Sequence, residues 1–203
     1  MNILFITSDQ QRADCYGFEG RKVKTPHLDM LARAGTRFSA CVTPNLVCQP
    51  TRASILTGLL PRTHGVSDNG IDLPDAVGEA GYAGGFTGAG YRTGYIGKAH
   101  FKTCNTFAPT GTPECRLTAQ PDTWYGPYMG FGHVELMVEG HNTNPPRKPP
   151  FCQHYERWYH ADGRGEEKNR LLMSKLAPET DAAQTYHSGL PVAWHNSTWI
   201  GDR

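Results

Sequence analysis

The stretch from Asn45 to Gly58 constrains this chain more than any other, because it places a cysteine just before a short predicted helix. The residues after Pro50 are good or tolerable helix formers, and Gly58 is a typical helix stop. Proline suits the first helical position, since its missing N–H would be unpaired there and its φ angle is already helical. Cys48 is therefore expected beside a helix N-terminus, where partial positive charge favours an anion. Arg52 follows one turn later on the same side.

Two interpretations of Cys48 remain open from this pattern alone. A free cysteine is often a small buried hydrophobe, and Cys-x-Pro-x-Arg by itself is short. The longer string from Cys48 to Gly58 resembles the signature of the type I sulfatases, members of the alkaline-phosphatase superfamily. In that family the cysteine is oxidised after translation to Cα-formylglycine, whose hydrate is the catalytic nucleophile. Gln49 stands where the family usually has a small residue, and Thr51 stands where serine is commonest.

Length and composition bound the class of protein. The chain has 203 residues, enough for one domain with a sizeable core, and its net charge of +1 gives no field that would favour nucleic acid or an anionic membrane. No apolar run of about 18 residues exists to span a bilayer. The N-terminus reads as a strand, not a signal peptide, so a cytoplasmic location and no disulfide framework are expected. None of the six cysteines forms a Cys-x-x-Cys pair.

The apolar run from Asn2 to Thr7 predicts a buried first strand that ends in the polar residues Ser8-Asp9-Gln10. In α/β proteins, ligands lie at the carboxyl ends of strands, and carboxylate and amide oxygens suit a hard cation. Asp9 equally suits the cap of a loop or helix. The sulfatase resemblance implies that Asp9 and Gln10, with the group made from Cys48, bind one divalent cation, expected to be Ca²⁺. Glutamine at the second position also occurs in a branch that includes phosphonate monoester hydrolases.

Thr25 to Gly35 predicts a helix, with Thr25 as the N-cap, Pro26 at the first position and Gly35 at the stop. Its apolar stripe, expected to face the core, comprises Leu28, Leu31 and Ala32. The next segment, 36–42, alternates like a strand. This arrangement also resembles the sulfatases.

The block from Gly90 to Phe101 is the second informative stretch. Tyr91 to Ile96 is strand-like, and alternation would put Lys98 and His100 on the same face at its end. A lysine can bind an anionic oxygen while a histidine moves protons, although surface Lys and His at this spacing are also ordinary. The block resembles the second sulfatase signature, with Ala99 in place of the usual aromatic residue. The resemblance implies that Lys98 binds sulfate and that His100 is a partner of the formylglycine.

The remaining segments are less specific. A loop histidine, His64, could approach the site but is more often simply hydrogen-bonded. His195 is similar in position to the family's leaving-group histidine, in a diffuse motif. The other expectations are an irregular insertion at 102–128, a strand at 130–138, a helix at 151–160 and a polar, partly mobile segment at 161–183.

The alternation of strands and helices predicts an α/β fold. The resemblance adds an alkaline-phosphatase/sulfatase-like three-layer sandwich with a mixed, mainly parallel central sheet. Because no second acidic metal pair follows, residues 1–203 are expected to be the N-terminal part of a sulfatase catalytic domain. An incomplete sheet would leave an apolar edge, so low solubility or oligomerisation is expected.

The implied function is hydrolysis of a small-molecule sulfate ester by an enzyme that needs a formylglycine-generating maturation partner. Neither nucleic acid nor a membrane is expected as a partner. Two alternatives remain open: a phosphonate monoester or phosphodiester hydrolase on the same scaffold, and a catalytically inactive fragment.

Overall fold

The computed structural model describes residues 1–9, 11–103, 114, 123–137, 148–149, 152–175, 199–200 and 203, with the side chains of 172–175 excepted. This part of the chain divides into two compact units, Met1–Val42 and Thr43–Arg203.

The N-terminal unit contains a short 3₁₀ turn, Gly17–Glu19, and one helix, α1 (Pro26–Ala34). The helix confirms the expectation for this segment, with proline in its first turn and Gly35 at its end. Thr25 lies at the N-cap position but does not cap the helix backbone. Its hydroxyl accepts a hydrogen bond from the Gly17 N–H at 2.8 Å and donates one to the Asp29 carboxylate at 2.7 Å. Thr25 thus ties the 3₁₀ turn to the first turn of α1.

The two strands predicted in this unit, at 2–7 and 36–42, are wrong for the described structure, because neither segment forms a strand. Apolar side chains in both segments are largely exposed, and Leu28 and Leu31 of the predicted core stripe are 43% and 60% exposed. A strand forms only where a neighbouring strand satisfies its N–H and C=O groups. Alternating apolar residues identify a segment that could pair, but they do not supply its partner.

The C-terminal unit begins with four helices: α2 (Cys48–Thr57), α3 (Pro61–His64), α4 (Asp75–Glu79) and α5 (Tyr82–Gly88). Helix α2 packs against the other three. Its Ala53 and Leu56 side chains lie in the main hydrophobic core, at 0% and 1% exposure. Gly58 ends α2 in a left-handed conformation (φ 71°), which confirms the predicted stop.

A two-stranded parallel sheet follows, with β1 (Gly94–Gly97) paired to β2 (His133–Leu136) and Gly94 opposite His133. Strand β2 lies within the predicted segment 130–138, and β1 starts three residues later and ends one residue later than the predicted strand at 91–96. A parallel pair joined to packed helices confirms the predicted α/β class. The sheet of the described residues has two strands, and the larger central sheet stays a prediction.

Two helices close the described unit, α6 (His154–His160) and α7 (Gly165–Lys175). Helix α6 confirms the prediction for 151–160 and begins with a capping box between Gln153 and Glu156. Helix α7 lies within the polar segment 161–183, whose partial mobility stays a prediction. The buried Lys168 ammonium donates to the Tyr159 carbonyl at 2.6 Å and binds Asp162 at 3.0 Å, which fastens α7 to the end of α6.

The turn before β2 packs against helix α5 through two glycines in close approach. Gly130 has a φ of +82°, and a Cβ placed on it would lie 2.5 Å from the Gly84 nitrogen. The Thr87 hydroxyl of α5 also donates to the Gly130 carbonyl at 2.8 Å. Any side chain at position 130 would therefore push the turn away from the helix.

We predict that Gly130→Ala destabilises the chain more than Gly65→Ala. The control has nearly the same φ, +84°, but a Cβ there meets nothing within 4 Å. Both variants force alanine into a left-handed conformation, at about 1–2 kcal/mol, whereas the collision at position 130 adds a further ~1–3 kcal/mol. Urea denaturation of the two variants measures the difference, and equal losses would show that the close contact has no energetic consequence.

Candidate functional site

Cys48 is the first residue of helix α2, which begins two residues before the start predicted at Pro50. The preceding backbone is extended at Val47, whose N–H is held by the Asn45 side chain at 2.8 Å. The first N–H groups of a helix have no acceptor within the helix, so they present partial positive charge around this position. The Cys48 side chain is half-buried and carries a free thiol. It lies where a negatively charged group would be stabilised.

Lys98 lies beside Cys48, although 50 residues separate them in the chain. The Lys98 ammonium nitrogen is 3.6 Å from the Cys48 sulfur. Lys98 directly follows β1, so the parallel strand delivers the ammonium group to the start of α2. The two motifs that the sequence singles out therefore meet at one point, where the ammonium group and the helix N-terminus would both favour a negative charge.

Arg52 holds the backbone of Lys98 in place. Its guanidinium donates one hydrogen bond to the Lys98 carbonyl and another, at 3.2 Å, to the Tyr95 hydroxyl. The Tyr95 hydroxyl itself donates to the same carbonyl at 2.5 Å, and burial raises the pKa of Tyr95 to about 12, so it remains a donor at neutral pH. Arg52 thus links α2 to the end of β1, and its predicted contact with the group at position 48 stays a prediction.

Gln49 fastens the start of α2 to two other loops. Its side chain is fully buried, its amide nitrogen donates to the Ile71 carbonyl at 2.7 Å, and its amide oxygen accepts the Gly70 N–H at 2.8 Å. The same amide nitrogen lies 3.4 Å from the Phe101 carbonyl. The Gln49 backbone N–H binds the Asn69 side chain at 3.0 Å. A small residue here could make none of these side-chain bonds, so the departure from the expected motif has a structural role.

His100 lies in the loop after β1 and is 6% exposed. The expectation that Lys98 and His100 share a strand face is wrong, because β1 ends at Gly97 and the chain then turns. Gly97 has a φ of +115° and His100 a φ of +51°. A non-glycine residue in the left-handed region costs about 1 kcal/mol and persists only where its surroundings hold it. The role of His100 in chemistry stays a prediction.

Glu114 is a buried residue of this region that the sequence analysis missed. It is 2% exposed, and its carboxylate accepts hydrogen bonds from the Phe101 and Lys102 N–H groups, both at 2.8 Å, and from the Tyr128 hydroxyl at 2.5 Å. Burial raises the pKa of Glu114 to about 7, against the opposing effect of these donors. In the sequence, Glu114 is one acidic residue within an irregular, glycine- and proline-rich stretch. That pattern is too weak to single it out.

Comparison with known proteins identifies the family of this chain. Residues 1–171 match the sulfatase family. The chain belongs to the sulfatases. The resemblance predicted from the two motifs is therefore confirmed.

Three curated relatives illustrate the match. An ulvan-active sulfatase from Formosa agariphila is 44% identical over 49% of this chain and 19% of its own length. An N-acetylglucosamine-6-O-sulfatase from Bacteroides thetaiotaomicron is 35% identical over 76% of this chain and 29% of its own. The multifunctional alkaline phosphatase superfamily protein PehA from Trinickia caryophylli is 36% identical over 69% and 27%. The chain thus spans less than a third of the length of each relative.

The positions of three predicted sulfatase site residues relative to Cys48 stay predictions. Gln10 and His195 lie outside the described residues. Asp9 is exposed and belongs to the N-terminal unit, whereas Cys48 and Lys98 belong to the C-terminal unit. The described residues contain no group of three or more His, Cys, Asp or Glu side chains that could hold a metal ion. None of the described helices is long and apolar enough to cross a membrane.

His64 has a structural role beneath α2. It is 2% exposed, and its Nδ1 accepts the Val66 N–H at 3.1 Å. The proton of the neutral imidazole is therefore on Nε2, 2.9 Å from the Ser54 hydroxyl, to which it donates. Burial lowers the pKa of His64, which keeps the ring neutral. His64 connects α2 to the end of α3, in line with the hydrogen-bonded interpretation of this residue.

We predict that Glu114 makes the sulfatase chain less stable as the pH rises from about 4.5 to 7. The folded chain holds the Glu114 proton more tightly than the unfolded chain, since burial raises its pKa from 4.5 to about 7. Within that window the folded state binds more protons, so the free energy of unfolding falls by up to roughly 3 kcal/mol.

Urea denaturation of the wild type and Glu114→Gln at pH 4.5, 6 and 7.5 measures this effect. The variant has no proton to lose at this position, so the wild type should lose stability relative to it as the pH rises. Other groups titrate in both proteins and cancel in the difference. Parallel pH curves would contradict the prediction.

Proposed function

We propose that the enzyme to which this chain belongs hydrolyses a sulfate ester to an alcohol and inorganic sulfate, with a formylglycine made from Cys48 as the nucleophile. One observation carries the proposal: the Lys98 ammonium lies 3.6 Å from the Cys48 sulfur. The lysine of one sulfatase signature thereby meets the cysteine of the other. Membership of the sulfatase family supports the same reaction.

A formylglycine at position 48 suits the proposed reaction better than a thiol nucleophile does. Formylglycine would supply two hydroxyl groups on one carbon, one to attack sulfur and one to release sulfate, whereas a thiol offers a single reacting atom. The side chain is half-exposed at the start of α2, so a substrate can reach it. The helix N-terminus and the Lys98 ammonium both face the place where negative charge develops.

The surrounding side chains divide the remaining tasks. Lys98 neutralises charge on the sulfuryl oxygens, a form of electrostatic stabilisation that needs no reorganisation during the reaction. Arg52 keeps Lys98 at this position by binding its carbonyl. We assign to His100 the removal of a proton at position 48, and to His195 the protonation of the leaving alcohol.

A divalent cation, which sulfatases generally use, belongs to this proposal through Asp9, Gln10 and the group made from Cys48. Carboxylate and amide oxygens suit Ca²⁺, which takes about six to eight oxygen ligands. The described residues alone do not form such a set, since Gln10 lies outside them and they contain no group of three or more His, Cys, Asp or Glu that could hold a metal ion. The roles given to Lys98, Arg52 and His100 therefore do not depend on the cation.

We predict that Cys48→Ala and Cys48→Ser both reduce turnover of p-nitrophenyl sulfate to background. Alanine has no nucleophile, and serine has only one hydroxyl, so it cannot release the sulfate that it accepts. Cys41→Ser is the matched control, because Cys41 is an exposed free thiol in the N-terminal unit, and it should keep full activity. Substantial turnover by either Cys48 variant would refute the assignment.

Peptide mass spectrometry tests the nucleophile independently of activity. Co-expression with a formylglycine-generating enzyme should convert the CH₂SH group of Cys48 to CHO, with the corresponding loss of mass and reactivity toward a hydrazide. Exclusive recovery of the thiol after co-expression would contradict the proposed nucleophile.

A phosphonate monoester or phosphodiester hydrolase is the second candidate, and Gln10 favours it. Glutamine at this position is also found in the phosphonate-hydrolase branch, and a relative of this chain is named as a multifunctional member of the alkaline-phosphatase superfamily. Lys98 and His100 favour sulfate, because that branch tends to have hydroxyl residues there. Turnover of p-nitrophenyl sulfate, N-acetylglucosamine 6-sulfate and a phosphonate monoester by the matured enzyme separates the two.

A further inference from the structure

Two consecutive backbone N–H groups converge on one buried carboxylate in this chain. The N–H groups of Phe101 and Lys102 both donate to Glu114 Oε2 at 2.8 Å, and the Tyr128 hydroxyl donates to the same oxygen at 2.5 Å. Successive N–H groups pointing into one concavity form a nest that binds an anion. The anion here is a side chain of the same protein, and it is 2% exposed.

Glu114 binds the loop of residues 98–102, which carries the proposed site residues Lys98 and His100. It starts at Lys98, whose carbonyl is bound by Arg52 and Tyr95. Its second anchor is Phe101, whose carbonyl accepts the Leu73 N–H at 2.9 Å and lies 3.4 Å from the Gln49 amide. Between these anchors His100 has its left-handed φ of +51°, which needs support from its surroundings.

We propose that Glu114 is a positioning residue that holds the loop of residues 98–102 in the conformation that presents Lys98 and His100 to position 48. The importance of that conformation rests on the function proposed above. Without the carboxylate, the N–H groups of Phe101 and Lys102 would lose their acceptor, and the loop would relax toward a conformation without positive φ at His100. Lys98, two residues earlier, would then move away from Cys48.

If Glu114 acted only through its negative charge, its removal would have the opposite effect on the attraction of an anionic reagent to Cys48. Removing a negative charge near the site can only increase the attraction of an anion to Cys48. Loss of positioning decreases that attraction, because the Lys98 ammonium leaves its place 3.6 Å from the sulfur. The preference of Cys48 for an anionic reagent over a neutral one therefore distinguishes the two roles.

The experiment compares alkylation of Cys48 by iodoacetate and by iodoacetamide in the unmatured 203-residue chain, read on the peptide that contains Cys48. Both reagents attack the same sulfur, so the ratio of their rates reports local charge. Lys98→Met should lower the ratio about fivefold, as expected for loss of one charge at about 4 Å in a solvent-exposed setting. The exposed thiol of Cys41 serves as an internal reference in every sample.

We predict that Glu114→Ala and Glu114→Asp lower the ratio toward that of Lys98→Met. The aspartate keeps the charge but is one methylene too short to reach the N–H groups. Glu114→Gln should keep the ratio of the wild-type chain, since its amide oxygen can accept the same hydrogen bonds. Tyr128→Phe removes only the hydroxyl donor and should leave the ratio unchanged.

Amide hydrogen exchange on the same variants checks the loop directly. Exchange in the peptide spanning residues 98–102 should accelerate in Glu114→Asp and stay slow in Glu114→Gln, while helix α2 stays protected in both. An unchanged or increased alkylation ratio in Glu114→Asp would overturn the proposal. If the ratio behaves as expected but the matured enzyme has no sulfatase activity, the proposed function fails and the positioning role stands.

Discussion

The site depends on a backbone carbonyl, that of Lys98, which receives two hydrogen bonds from side chains. One comes from Arg52 on helix α2 and the other from Tyr95 on strand β1. Arg52 is always charged, and its planar donors bind a carbonyl in a defined direction. These bonds connect the helix that carries Cys48 to the strand that delivers Lys98. The 3.6 Å contact between the ammonium group and the sulfur follows from that connection.

Buried polar side chains around these two bonds hold the neighbouring loops by hydrogen bonds. Gln49 uses its amide oxygen, its amide nitrogen and its backbone N–H to bind residues 69–71, and the amide nitrogen also lies 3.4 Å from the Phe101 carbonyl. Glu114 collects the N–H groups of the loop that follows β1. A buried polar group without its partner costs about 1–3 kcal/mol, so each of these bonds favours one arrangement of the loops over alternatives. The loops around Cys48 are therefore held by polar networks as much as by apolar packing.

The N-terminal unit shows where reasoning from local sequence fails. Helix α1 was predictable, because its proline, its glycine stop and its helical spacing are all local signals. The strands expected at 2–7 and 36–42 did not form in the described structure. Strand pairing needs a distant partner, and no pattern within a segment states whether that partner is present. The proposed cation ligands Asp9 and Gln10 depended on that first strand, so their geometry was the least predictable part of the site.

The sequence by itself determined the family and the presence of a helix at the Cys48 motif, because short motifs with local spacing carry that information. It also proposed Lys98, Arg52 and His100 as site residues. Only the tertiary structure decided that Lys98 touches Cys48, that Gln49 is a fully bonded buried residue, and that Glu114 belongs to this region at all. Each of these contacts joins residues that are from 12 to more than 50 positions apart. Their geometry is set by how helices and strands pack, a property of the whole fold that no single segment encodes.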